Sequence, residues 1–294
     1  MSQTSPSHLR SDAEHLAGGL PPLLAEAQRL ASSVMMGVHG RKRAGTGENF
    51  WQYRRAMPGD DLASVDWRRS ARSDNVYIRQ NEWEAAHTVA LWCDTAQSMD
   101  YSGDKKLPTK RDRARLLTMA LAVLLSKSGE RVTLPATRAA EPKTGERHLQ
   151  RIALALAADD TAEDYGQAPD FMDIRAARSV FISDFLGAED DVLRPMRMAA
   201  ENAGVGSIVQ VLAPSEESFP FDGRVIFESM GGAIEFETHR AKALRDEYKD
   251  RLAQRVDLLE SFARETGWRY VKHHTSDSAT NALLWLYMAI GGQR

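Results

Sequence analysis

Cysteine is almost absent. Cys93 is the only one in 294 residues, which excludes an internal disulfide framework and any zinc cluster built on several thiolates. Long apolar runs are missing as well. The longest, Ala282 to Gly291 (ALLWLYMAIG), spans ten residues, against the roughly 20 that a helix needs to cross a bilayer, so it reads as a buried C-terminal helix. The opening stretch MSQTSPSHLRSDAEH has no apolar core and is not a secretory signal. Charge of one sign is not in excess either. A net charge of -3 points to neither a nucleic-acid binder nor an acidic tail. The expected compartment is the cytoplasm.

Enzyme signatures are sparse. Gly40-Arg-Lys-Arg-Ala-Gly45-Thr-Gly47 lacks the Lys-Ser/Thr pair that a phosphate-binding loop needs. Asp94-Thr-Ala96 lacks the second aspartate of a haloacid-dehalogenase phosphatase, and His-Glu-x-x-His does not occur. His273-His274 reads as a structural or exposed pair. Nothing sets a nucleophile beside a base.

What is there is a regular alternation. Residues 1–19 read as a disordered tail. Leu20 to Met36 carries Leu23, Leu24, Ala27, Leu30, Ala31 and Val34 at helical spacing. A loop rich in glycine and basic residues follows, then a dense polar-aromatic segment to about Arg79. From residue 87 onward short apolar strands alternate with amphipathic helices. Strands are expected over Thr88–Cys93, Arg131–Ala136, Ser179–Ser183, Ser207–Leu212 and Trp268–Lys272. Helices are expected over Arg111–Ser128, His148–Ala158, Asp190–Asn202, Leu244–Ala263 and Ala279–Ile290. Val225–Glu228 and Ala233–Phe236 read as a hairpin across Gly231-Gly232. This order predicts an α/β fold, a doubly wound and mainly parallel sheet with helices on both faces. Residues 20–86 are expected to form a helix-and-loop extension packed on that sheet, and 87–294 the main domain. Cys93, inside a strand, reads as a small core hydrophobe.

Ligands of such sheets bind at the carboxyl ends of the strands. Asp94 follows TVALWC directly and Asp184 follows SVFIS directly. Two carboxylates at one edge, with the Ser98 hydroxyl nearby, can converge on a hard cation such as Mg2+ or Mn2+. The competing reading has both aspartates capping the helices that follow.

Strand-Asp-x-Ser-x-Ser with a later strand-Thr/Ser-Asp is the metal-ion-dependent adhesion motif of von Willebrand factor A domains. This chain is similar, with Asp94-Thr-Ala96-Gln-Ser98 and Ser183-Asp184. Ala96 stands where the motif has its first serine and offers no oxygen. The resemblance implies a further threonine ligand, for which Thr144 is the best match. With a direct ligand lost, and with Lys105, Lys106, Lys110, Arg111, Arg113 and Arg115 close in sequence, the site is expected to be degenerate and to bind Mg2+ or Mn2+ weakly at most.

The preceding segment narrows the resemblance. Gly47-Glu-Asn-Phe-Trp-Gln-Tyr53-Arg54-Arg-Ala-Met-Pro58-Gly59-Asp60-Asp61, then Val65-Asp66-Trp67-Arg68-Arg-Ser-Ala71-Arg72, resembles a bacterial family known as domain of unknown function 58. In this family motif, Tyr53, Arg54, Gly59, Asp60, Asp66, Trp67, Arg68 and Arg72 read as structural, with Trp67 an anchor against the sheet. Residues 41–79 hold nine Lys/Arg against five Asp/Glu. They read as an internal salt-bridge network, with Arg54 or Arg72 paired to Asp60 or Asp66, or as a docking face for an acidic partner. The resemblance implies a partner too, because such proteins accompany MoxR-type AAA+ ATPases and present targets to them. The expected function is therefore a non-catalytic adaptor between such an ATPase and an unknown protein target. Lys110, Arg111 and Arg115, beside the Asp94 loop, are its expected acid-docking face. The alternative is a metal-assisted hydrolase using Asp94 and Asp184.

Overall fold

The computed structural model describes residues 22–39, 50–57, 65–73, 75–81, 87–158, 163–169, 178–222, 225–228, 235–238 and 241–291. In chain order the elements are α1 (Pro22–His39), β1 (Phe50–Arg55), α2 (Trp67–Ser70), β2 (Tyr77–Asn81), β3 (Thr88–Cys93), α3 (Lys110–Lys127), β4 (Arg131–Thr133), α4 (Glu146–Ala157), β5 (Arg178–Ser183), α5 (Glu189–Ala203), β6 (Val205–Leu212), α6 (Pro214–Ser218), β7 (Val225–Glu228), β8 (Glu235–Thr238), α7 (Ala241–Thr266), β9 (Arg269–His274) and α8 (Ala279–Gly291). The expected strands and helices are present, most with ends displaced by one to three residues. The hairpin pairs Val225 with Thr238 and Glu228 with Glu235, so its second strand starts two residues later than expected. Gly231-Gly232, the 1–19 tail, Gly59 and Asp60 lie outside the described residues.

Five strands form a sheet in the order β4-β3-β5-β6-β9, and every neighbouring pair is parallel. The α/β expectation holds at that level. The order reverses between β3 and β5, the topological switch point at which ligands of open α/β sheets bind. Alternation along the strands decides which helix meets which face. Val89, Leu91 and Cys93 share a core with Leu24 and Ala31 of α1, Leu117 and Leu121 of α3, Ile152 of α4 and Leu286 of α8. Ala90, Phe181 and Ile208 face the other way, onto Leu193 and Met196 of α5 and Leu259 and Phe262 of α7. Each fully buried large apolar side chain contributes roughly 1.5–3 kcal/mol, and this double-sided burial holds the carboxyl edge of the sheet in place. Cys93 is buried, with its thiol pushed up to about 12, chiefly by desolvation.

The chain divides into two units, one of Met1–Met36 with His87–Arg294, the other of Gly37–Ala86. In the first unit α1 buries Leu24, Ala27, Ala31 and Val34 in the core that the sheet faces. In the second unit β1 and β2 pair antiparallel, with Tyr53 opposite Arg79. Val65 bridges Ile78, and both are buried. Among the described residues no helix is long and apolar enough to cross a membrane.

Candidate functional site at the carboxyl edge of the sheet

Asp94 and Asp184 leave adjacent parallel strands at the switch point. The Asp94 amide closes the ladder by donating to the Ile182 carbonyl at 2.9 Å. Asp94 is 1% exposed, and each carboxylate oxygen accepts a hydrogen bond. Oδ1 accepts the Ala96 amide at 2.8 Å, and Oδ2 accepts the Ser183 hydroxyl at 2.6 Å. A β-carbon on Gly166 would fall 2.1 Å from Asp94 Oδ1, so the Gly166 backbone lies directly over the carboxylate. Burial, and then the neighbouring Asp184 charge, push the Asp94 carboxyl up to about 6, against the pull of Ser183, Ala96 and Lys110.

Asp184 is held differently. Its Oδ1 accepts the Leu186 amide at 3.0 Å, and Gln210 Nε2 donates to its main-chain carbonyl at 3.0 Å. Its Oδ2 takes a charged donor, the Lys110 ammonium, at 2.8 Å. The same ammonium donates to Glu216 Oε1 at 2.6 Å and lies 5.8 Å from the centre of the Tyr101 ring. Lys110 is only 1% exposed. It opens α3, at the positive end of the helix dipole, where a cation is disfavoured. Burial would also discharge it, yet the Asp184 and Glu216 carboxylates outweigh both effects and hold its pKa above the ordinary lysine value. Glu216 is fixed in turn, since its Oε2 accepts the Ala213 amide at 2.7 Å. Tyr101 stays in register through its hydroxyl, 3.0 Å from Ser215 Oγ.

This donor set does not fit a divalent cation. The Asp94 oxygens each accept a protein donor, an amide and a hydroxyl, and Asp184 Oδ2 accepts an ammonium whose charge opposes a metal ion beside it. Among the described residues no three His, Cys, Asp or Glu side chains come together to hold a metal ion. Ser98 Oγ is buried with no hydrogen-bond partner. Thr144 is not part of the site. It bonds the Ser126 hydroxyl at 2.9 Å, near the last turn of α3, the end of that helix remote from Lys110.

The expected docking face needs correction. Lys110 is not on the surface, because two buried acids draw it inward. Arg111 is half-buried and donates to the Ala96 carbonyl at 3.2 Å. Arg115 is also half-buried and reaches the Ala158 carbonyl at 3.4 Å. Lys105 and Lys106 are exposed. Sequence reasoning missed Glu216 and gave Ser183 no role. The signal for Glu216 was available, since Pro214-Ser-Glu216 follows strand β6 at the same edge as Asp94 and Asp184. On the neighbouring strand His273 is buried and bonded to Arg113 at 2.9 Å. Burial and the Arg113 charge hold it down to about 4, so it is a neutral structural residue.

In the 37–86 unit Asp66 caps α2, its Oδ1 accepting the Arg69 amide at 3.0 Å. Its Oδ2 accepts the Tyr53 hydroxyl at 2.9 Å. The expected pairing of Arg72 with Asp66 is absent. Trp67 is not a buried anchor: it is 61% exposed, because Val65 takes the inward position opposite Ile78 and the chain turns into helix two residues later. Tyr53, Asp66, Arg68, Arg69, Arg72, Ser73 and Tyr77 line a pocket of about 550 Å³. The Arg54 side chain lies outside the described residues.

No solved structure matches the chain. Similar proteins are the uncharacterized protein Rv1480 of Mycobacterium tuberculosis and the uncharacterized protein Mb1516 of Mycobacterium bovis. Each is 29% identical over 269 residues, covering 86% of this chain and 84% of the relative. The family described as "Protein of unknown function DUF58" matches residues 52–257, and the chain belongs to that family.

Proposed function

We propose that this chain is a non-catalytic protein-interaction module of the von Willebrand factor A type, in which the Lys110 ammonium stands where the adhesion motif holds a divalent cation. One observation carries the reading. A buried lysine donates to Asp184 at 2.8 Å and to Glu216 at 2.6 Å, beside an Asp94 whose oxygens are already satisfied. The adaptor role, presenting a protein target to a MoxR-type AAA+ ATPase, rests on the family resemblance. A metal-assisted hydrolase is less well supported, since the Lys110 ammonium pairs with Asp184 and its charge opposes a metal ion there.

Replacing the lysine tests the reading. Lys110→Ala leaves two buried acids without a counter-charge, a loss of about 3–5 kcal/mol. It also vacates the space of the ammonium. The wild-type protein is expected to show no change in melting temperature with millimolar Mg2+ or Mn2+. The variant melts lower and is partly restored by either ion, and adding Asp184→Asn to it abolishes that rescue. Tight Mn2+ binding by the wild type, lost in Asp94→Ala, would overturn the reading and favour the hydrolase.

A further inference from the structure

We propose that the arginine-lined pocket of the 37–86 unit is a docking site for an acidic segment of a protein partner. The inference is independent of the sheet-edge reading. Among the described residues, the side chains of Arg68 and Arg72 have neither a hydrogen bond nor a carboxylate partner, and both are exposed. Arg69 lies over the Tyr53 ring at 4.3 Å and near the Tyr77 ring at 5.2 Å, which orients its guanidinium and leaves its edge unused. Asp66, the carboxylate that lines the pocket among the described residues, is engaged by the Tyr53 hydroxyl and the Arg69 amide. Three guanidinium groups therefore line one cavity and, among the described residues, meet no free counter-charge.

That arrangement has a chemical preference. Guanidinium groups are weakly hydrated and present a planar fork that matches a carboxylate with two parallel hydrogen bonds. The pocket, at about 550 Å³, lies within the range of about 300–1,000 Å³ that drug-sized ligands occupy, so it has room for several side chains and not a lone oxyanion. Trp67, 61% exposed on the same short helix, adds a large apolar surface. Trp, Tyr and Arg are the residues that dominate protein interfaces energetically. A nucleic acid fits less well, because the basic residues of this segment are interleaved with acids and do not form a stripe.

The test uses the full chain and a fluorescein-labelled oligo-glutamate peptide, read by anisotropy. Binding is expected at low salt and weakens as salt rises. Arg68→Ala with Arg72→Ala should reduce affinity roughly tenfold per guanidinium removed at an unchanged melting temperature, since neither residue holds the fold together. Arg68→Lys with Arg72→Lys, which keeps the charge and loses the fork, falls between. Trp67→Phe should diminish the change in tryptophan emission on binding. No binding at low salt, or a double alanine variant that binds like wild type, overturns the proposal. So does full displacement of the peptide by equimolar inorganic phosphate, which marks a simple oxyanion site. Tighter, arginine-dependent binding of a single-stranded oligonucleotide overturns it in favour of nucleic acid.

Discussion

Asp94 shows how one buried residue makes stability depend on pH. Its carboxyl is raised from an ordinary 3.8 to about 6 in the folded chain. Between these values the folded state therefore holds more protons than the unfolded one. Stability from this group is present below about pH 4 and is lost as pH rises through 6. Asp94→Asn is neutral throughout that window and can still accept the Ala96 amide. The wild type should lose stability relative to Asp94→Asn as pH rises from about 4 to 6, which denaturant unfolding at a series of pH values measures. A difference that is flat with pH would mean that the carboxylate is charged in both states. Trp67 carries the opposite lesson. The loss of about 3–5 kcal/mol expected for truncating a buried aromatic does not apply to a side chain that is mostly in water.

At the scale of elements, the sheet edge was legible because a strand that ends in aspartate states where its carboxylate must lie. TVALWC-Asp94 and SVFIS-Asp184 placed both acids at the carboxyl edge of the sheet without coordinates. What the acids bind was not legible. Lys110 and Glu216 are 106 residues apart, and no periodicity in α3 or α6 says that one will reach for the other. The same holds for the cover over Asp94, a segment whose only sequence feature is Gly166. There the missing side chain is required by space, not by backbone angle. Gly166→Ala would drive a methyl group into Asp94 Oδ1, 2.1 Å away. A cost of about 1–3 kcal/mol is expected from this overpacking. Combined with Asp94→Ala, which removes the obstructing oxygens, the two losses should sum to less than their separate values. Additive melting shifts in that double-mutant cycle would show that residues 163–169 move aside freely.

Considered whole, the chain separates two tasks. One unit presents a sheet edge sealed by its own side chains, and the other lines a pocket with Arg68, Arg69 and Arg72, which among the described residues have no carboxylate partner. In the adaptor reading, the second is the grip. A MoxR-type AAA+ ATPase from the same cell should therefore co-purify with the tagged wild-type chain and with Asp94→Asn, but not with the Arg68 and Arg72 double alanine variant. Equal capture by all three would place the ATPase contact elsewhere. The pairing of Lys110 with Asp184 and Glu216 has one more consequence. A metal-holding edge can be emptied by a chelator and refilled by a pulse of ions, so its occupancy follows the composition of the surroundings. A cation on a covalent stem has no dissociation constant. This edge is permanently loaded, and any switch that acts on it has to come through the polypeptide itself.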